Sequence, residues 1–66
     1  MNIGEKIKEE RKAKGIFQKD LAKALGVTLN AVCQYENNVR RPSYEVLVKI
    51  ADFFDISLDY LLGRKD

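Results

Sequence analysis

Two short amphipathic segments hinged at a glycine constrain this chain more than any other feature. Within Gln18–Asn37, QKDLAKALGVTLNAVCQYEN, the residues Leu21, Ala22 and Leu25 recur at helical intervals. Gly26 then breaks the pattern, and Val27, Val32 and Tyr35 resume it. The spacing predicts two helices packed across one sharp turn. Ala22 falls at their crossing, where a larger side chain would push the axes apart, and Gly26 suits the left-handed backbone that such a turn needs. The hydroxyl of Thr28 can cap the second of these helices. That leaves Leu29, Asn30, Cys33 and Gln34 on the face turned away from Val32 and Tyr35, an outward surface with polar groups to spare.

The remainder of the chain reads as helices with short connections. Asn2 is a good cap for a first helix, with Glu5 three residues later, and that helix ends near Lys14-Gly15 with Ile3 and Ile7 as its apolar stripe. The second covers about Gln18 to Leu25 and the third about Leu29 to Asn37. A loop, Asn38-Val39-Arg40-Arg41-Pro42, follows. Ser43 caps a fourth helix whose Val46, Leu47, Ile50, Ala51, Phe53 and Phe54 supply much of the core. Asp55 ends it, and Ser57 caps a short fifth helix from Leu58 to Leu62, closed by Gly63. The fold class expected is all-α, a compact five-helix domain over residues 1–66, without repeat, linker or separate effector domain. The chain ends at Arg64-Lys65-Asp66, directly after the fifth helix.

Composition narrows the function. A chain of 66 residues allows one modest core, near the lower end of what folds without metals or disulfides. With no His and Cys33 as the single cysteine, neither a disulfide framework nor a Cys/His zinc site assembles within one chain, so no metal or cofactor is expected. The usual catalytic constellations have nowhere to form, which argues against an enzyme. MNIGEKIKEE lacks the apolar core of a secretion signal, and no apolar run approaches the roughly 20 residues that span a bilayer. A cytoplasmic protein is expected, with no membrane partner and no evident small-molecule ligand.

Charge is distributed unevenly. Residues 1 to 41 hold nine Lys/Arg against five Asp/Glu, and residues 42 to 66 hold three against five. The basic half contains the hinged pair of helices, an asymmetry expected when phosphates lie against one side of the molecule. The alternation EKIKEERKAK also fits a merely solvated face, so Lys6, Lys8 and Lys12 stay open between the two explanations.

In IGEKIKEERKAKG, QKDLAKALGV, TLNAVCQYENN, RRPSYEVLVKIADFFDI and SLDYLLG, taken in order, the chain resembles the helix-turn-helix repressors of the phage lambda repressor and Cro type, the Xre-like family. Ala22, Gly26 and Val32 fall on the three positions that define the motif. The resemblance implies a lambda-repressor-like fold and a double-stranded DNA ligand, read by the third helix in the major groove. The base-reading candidates are Leu29, Asn30 and Gln34, with Cys33 beside them. Asn or Gln can bond adenine at two adjacent atoms and Leu29 can cover a thymine methyl, each good pair contributing roughly 1–3 kcal/mol of discrimination. Ordinary exposed helix polarity accounts for the same residue types. Since the third helix lacks Lys and Arg, phosphate contacts are expected from Gln18 and Thr28 at helix starts. Asn37, Arg40, Arg41, Ser43 and Tyr44 form the matching clamp around the loop. Arg11 and Glu36 match positions that form a largely buried ion pair in the family.

Three departures from the family pattern stand out. Phe17 replaces the usual Ser or Thr cap of the second helix, and Ile16 and Phe17 are candidates for a hydrophobic staple. Asn38 replaces the usual glycine after the third helix, and Asn tolerates the left-handed conformation better than most residues. Leu29 is apolar where an amide or Arg is common, so no relative's operator can be transferred to this chain.

The function that follows is transcriptional regulation, as a repressor working as a homodimer on a palindromic operator, with recognition helices one DNA turn, roughly 34 Å, apart. Ile56, Leu58, Tyr60, Leu61 and Leu62 are the candidate dimer surface, being more apolar residues than one face of a short helix needs. Closure of the chain's own core accounts equally for Leu58, Leu61 and Leu62. Cys33 reads either as a small residue permitting groove approach or as a redox-sensitive thiol. An antitoxin, an anti-repressor and the controller protein of a restriction-modification system remain alternatives on the same scaffold.

Overall fold

The computed structural model describes residues 2–64; Lys65 and Asp66 of the terminal Arg64-Lys65-Asp66 lie outside the described residues. Five helices follow one another: α1 (Ile3–Lys14), α2 (Gln18–Leu25), α3 (Leu29–Glu36), α4 (Tyr44–Phe54) and α5 (Leu58–Leu61). The third and fifth each end one residue before the sequence expectation, because Asn37 and Leu62 act as their C-caps.

Short polar side chains start most of these helices. Asn2 Oδ1 accepts from the Glu5 N–H at 2.9 Å, Thr28 Oγ1 from Ala31 at 3.0 Å, Ser43 Oγ from Val46 at 3.2 Å and Ser57 Oγ from Tyr60 at 3.0 Å. Each satisfies a first-turn donor that has no partner inside its helix. The start of α2 is different. Phe17 brings no capping side chain, so the Asp20 N–H bonds the Phe17 carbonyl at 3.0 Å while the Asp20 carboxylate reaches back to the Phe17 N–H at 2.9 Å. Of the two staple candidates only Ile16 packs against the core; Phe17 is exposed.

Gly26 sits at φ 71°, and its N–H bonds the Ala22 and Lys23 carbonyls to close α2 before the chain turns into α3. Asn38 and Asp55 take the same left-handed region at φ 60° and 56°. Both carry the short polar side chains that tolerate it best after glycine.

The core gathers Ile7 from α1, Leu21, Ala22 and Leu25 from α2, Ala31, Val32 and Tyr35 from α3, Ile50 and Ala51 from α4, and Leu61 from α5. Val46, Leu47, Phe53 and Phe54 are half-buried against it, the two rings meeting edge to face with centroids 5.0 Å apart. One polar close approach also ties the fold. A Cβ on Gly4 would lie 2.5 Å from the Tyr35 carbonyl oxygen and 2.6 Å from that of Glu36, so α1 meets the end of α3 where only glycine fits. Asn38 Oδ1 accepts from the Gly4 N–H at 3.1 Å, and its amide nitrogen donates to Asn2 Oδ1.

Candidate nucleic-acid interface

Helix α3 buries Ala31, Val32, Tyr35 and Glu36 on one side. On the other, Leu29 is 49% exposed, Asn30 is exposed, and Gln34 is half-buried one turn further on. These three form one outward strip beginning at the helix N-terminus, the end that an entering helix presents to base edges. Cys33 departs from the expected outward placement. It is half-buried, and its thiol donates to Gln18 Oε1 at 3.1 Å, because the α2–α3 crossing brings Gln18 against that side of the helix.

Gln18 is half-buried beside Cys33. Its amide nitrogen donates to Glu36 Oε1 at 3.0 Å while its amide oxygen accepts from Cys33, so both polar atoms are engaged inside the protein. What this helix start offers an anion is the backbone N–H groups of Gln18 and Lys19, the donors of the first turn that lie ahead of the Asp20 N–H already bonded to Phe17.

Behind this surface lies a closed polar network. Arg11 Nε donates to Glu36 Oε2 at 2.7 Å and Nη2 to Oε1 at 3.2 Å, while Nη1 donates to the Ile16 carbonyl at 2.9 Å. With Gln18 added, the Glu36 carboxylate accepts from three donors, and among the described residues no buried side-chain nitrogen or oxygen lacks a partner. The network pins α1, the start of α2 and the end of α3 to one another, and so fixes how α3 is presented.

The residues expected to form a clamp lie around the α3–α4 loop. Asn37, Arg40, Arg41, Ser43 and Tyr44 are all exposed, and the Arg40 guanidinium lies 5.8 Å from the Tyr35 ring centroid, within cation–π range. Arg40 and Arg41 line one concavity with Asn2, Asn38 and Pro42. The exposed hydroxyls of Thr28 and Ser43 accept backbone N–H groups through oxygen, which leaves each O–H proton for an outside acceptor such as a phosphate oxygen. Lys6 is drawn elsewhere: its ammonium stands 4.1 Å from the Tyr60 ring centroid on α5.

The apolar residues around α5 divide. Leu61 is fully buried in the core formed by its own chain and so leaves the candidate dimer surface. Ile56 and Leu58 are half-buried against the same core, Tyr60 is half-buried beneath Lys6, and Leu62 is exposed at 36%. Sequence reasoning missed Gly4 and the Asn2–Asn38 bridge. The signal present was a glycine inside a helical pattern, which marks close packing when it is not a cap.

Two short helices at a tight glycine turn, inside a bundle that presents the second of them outward, define a helix-turn-helix protein. The helix-turn-helix family model matches residues 7–61, and the chain belongs to that family. It is 35% identical over its whole length to the HTH-type transcriptional regulator ImmR of Bacillus subtilis, covering 52% of that protein. It is 41% identical over 97% of its length to the cryptic phage CTXphi transcriptional repressor RstR of Vibrio cholerae, covering 57% of it. The chain thus spans about half the length of the curated relatives it matches. Among solved structures, the P22 c2 repressor, crystallised in complex with a synthetic operator, superposes with a TM-score of 0.91 at 34% identity over 98% of both chains.

Among the described residues no helix is long and apolar enough to cross a membrane, and no cluster of three or more His, Cys, Asp or Glu is placed to hold a metal ion.

Proposed function

We propose that residues 1–66 act as one sequence-specific, double-stranded DNA-binding domain of a transcriptional regulator, a repressor that binds a palindromic operator as a homodimer. The observation that carries this reading is the outward strip Leu29, Asn30 and Gln34 on a helix held by a closed polar network, in a fold that superposes on a repressor solved with its operator. In this reading α3 enters the major groove, Asn30 and Gln34 bond base edges, and Leu29 packs on a thymine methyl. The Gln18 and Lys19 N–H groups at the start of α2, the hydroxyls of Thr28 and Ser43, and Asn37, Arg40, Arg41 and Tyr44 hold the phosphates and set register. Ile56, Leu58, Tyr60 and Leu62 contribute to contact with a second copy. Such a protein works in the cytoplasm, on the nucleoid.

Selection of bound sequences from random duplex DNA, with wild type and Gln34→Ala, tests it. A palindromic consensus that relaxes in the variant, with affinity falling steeply in salt, supports the reading. Weak binding without consensus and indifferent to Gln34 overturns it in favour of a protein-binding role for this scaffold.

A further inference from the structure

Phe17 serves neither the core nor a cap. Its ring is 69% exposed, and the start of α2 is closed by Asp20 and the Phe17 main chain without the Phe17 side chain. Leu29, 49% exposed, opens α3. The two side chains line one open concavity with Gln18, Lys19 and Arg11, and the Lys19 ammonium stands 5.9 Å from the Phe17 ring centroid. An aromatic and a branched aliphatic group thus share a solvent-facing hollow with a cation at its rim. Two large apolar side chains are thus exposed side by side instead of singly.

What fits the hollow follows from where it lies. One of its walls is Leu29, which opens α3 and is followed at once by the exposed Asn30, and its cation is complementary to a phosphate backbone. In the major groove the C5 methyl of a pyrimidine is the apolar group that a base pair presents; purine N7 and O6 are acceptors that an apolar wall would leave unbonded. We propose that Phe17 and Leu29 together form a methyl-reading site, selecting a pyrimidine that carries a C5 methyl, thymine or 5-methylcytosine, over its unmethylated counterpart. This rests on the DNA-binding reading above and extends it to a residue outside the recognition helix. The ring of Phe17, at the N-cap of α2, supplies a second wall beside Leu29, so the methyl is touched from two sides rather than one.

The test uses the consensus duplex selected by the wild-type chain, with each thymine replaced in turn by uracil. One thymine per half-site is expected to matter, its replacement weakening wild-type binding about fourfold per methyl removed. The Phe17→Ala/Leu29→Ala double variant is expected to bind the thymine and uracil duplexes equally. If that variant does not fold, Phe17→Ala alone, at an exposed position, must reduce the uracil penalty at the same thymine. Uracil without effect at every position overturns the inference, as does a penalty that persists undiminished in the variants. Failure to select any consensus overturns the DNA-binding reading itself, and is distinct from a consensus bound without regard to methyls. Variants that bind DNA normally but lose a protein contact would assign the hollow to a protein surface and overturn the inference.

Discussion

Arg11 of α1 and Glu36 of α3 face each other through two hydrogen bonds, at 2.7 and 3.2 Å, with the arginine 9% and the glutamate 4% exposed. Burial at this level makes the pair costly to form and more costly to break, since removal of one partner strands the other charge away from water. Glu36→Ala is expected to destabilise by about 3–5 kcal/mol, measured by urea denaturation, with Arg11→Met close behind. Replacing both with apolar residues of similar volume should recover much of the loss. A double variant no more stable than the worse single one would refute the stranded-charge account.

Gly4 is a second point where α1 depends on α3, and here sterics rather than charge decide. Alanine is the better helix former by about 1 kcal/mol, yet its Cβ would press into two backbone carbonyls that cannot swing aside as a side chain can. Gly4→Ala should therefore destabilise by about 1–3 kcal/mol in spite of its propensity. Gly15 is the control: a Cβ there meets nothing within 4 Å, but φ is 74°, so Gly15→Ala should cost about 1–2 kcal/mol from backbone strain alone. Thermal melts of the two variants check both. A stabilised Gly4→Ala would mean that the helices separate without penalty.

Asn38 combines the two effects. It holds a left-handed backbone at φ 60° and bonds both Gly4 and Asn2. Asn38→Gly relieves the backbone but loses the bonds, whereas Asn38→Ala suffers both penalties. The alanine variant should be the less stable of the two by about 1 kcal/mol, read from paired denaturation curves. Equal stabilities would show that the turn relaxes out of the left-handed region.

Much of this architecture is legible in the sequence because its signals are local. Asn2, Thr28, Ser43 and Ser57 each stand immediately before an apolar periodicity, and each accepts the backbone donor three residues on. Ala22 and Gly26 mark the hinge for equally local reasons. Contacts set by the helix crossing are not local. That Gln18 turns inward to Glu36 and Cys33, instead of outward to a ligand, depends on the angle between α2 and α3, which no spacing encodes. Leu61 is ambiguous in the same way: on a four-residue helix, apolar side chains point both to the core and to solvent, and packing alone shows that Leu61 takes the core and Leu62 the surface. At α2, Asp20 performs half of a capping box behind a residue that is itself no cap, so the pattern is present but lacks its usual first letter.

Leu61 and Leu62 separate stability from assembly. Leu61→Ala empties a fully buried site and should cost about 2–5 kcal/mol, of the order of the whole stability of so small a fold. Leu62→Ala should change monomer stability by less than about 0.5 kcal/mol while weakening self-association. Sedimentation over a range of concentrations, with and without operator DNA, distinguishes them. If Leu62→Ala assembles like wild type, the homodimer contact lies away from the end of α5.

Base readout and phosphate clamping should separate in the salt dependence of binding. Gln34 carries no charge, so Gln34→Ala should flatten preference at a single operator position and leave the slope of log affinity against log salt unchanged. Arg40 and Arg41 are exposed cations beside the α3–α4 loop, and each alanine substitution should weaken binding to all sequences alike while reducing that slope by about one. Arg40→Lys should keep the slope, because the ammonium carries the same single charge. Titrations by fluorescence anisotropy at several salt concentrations decide among these. A slope unaffected by either arginine would move the phosphate contacts from the loop to the helix starts at Gln18, Thr28 and Ser43.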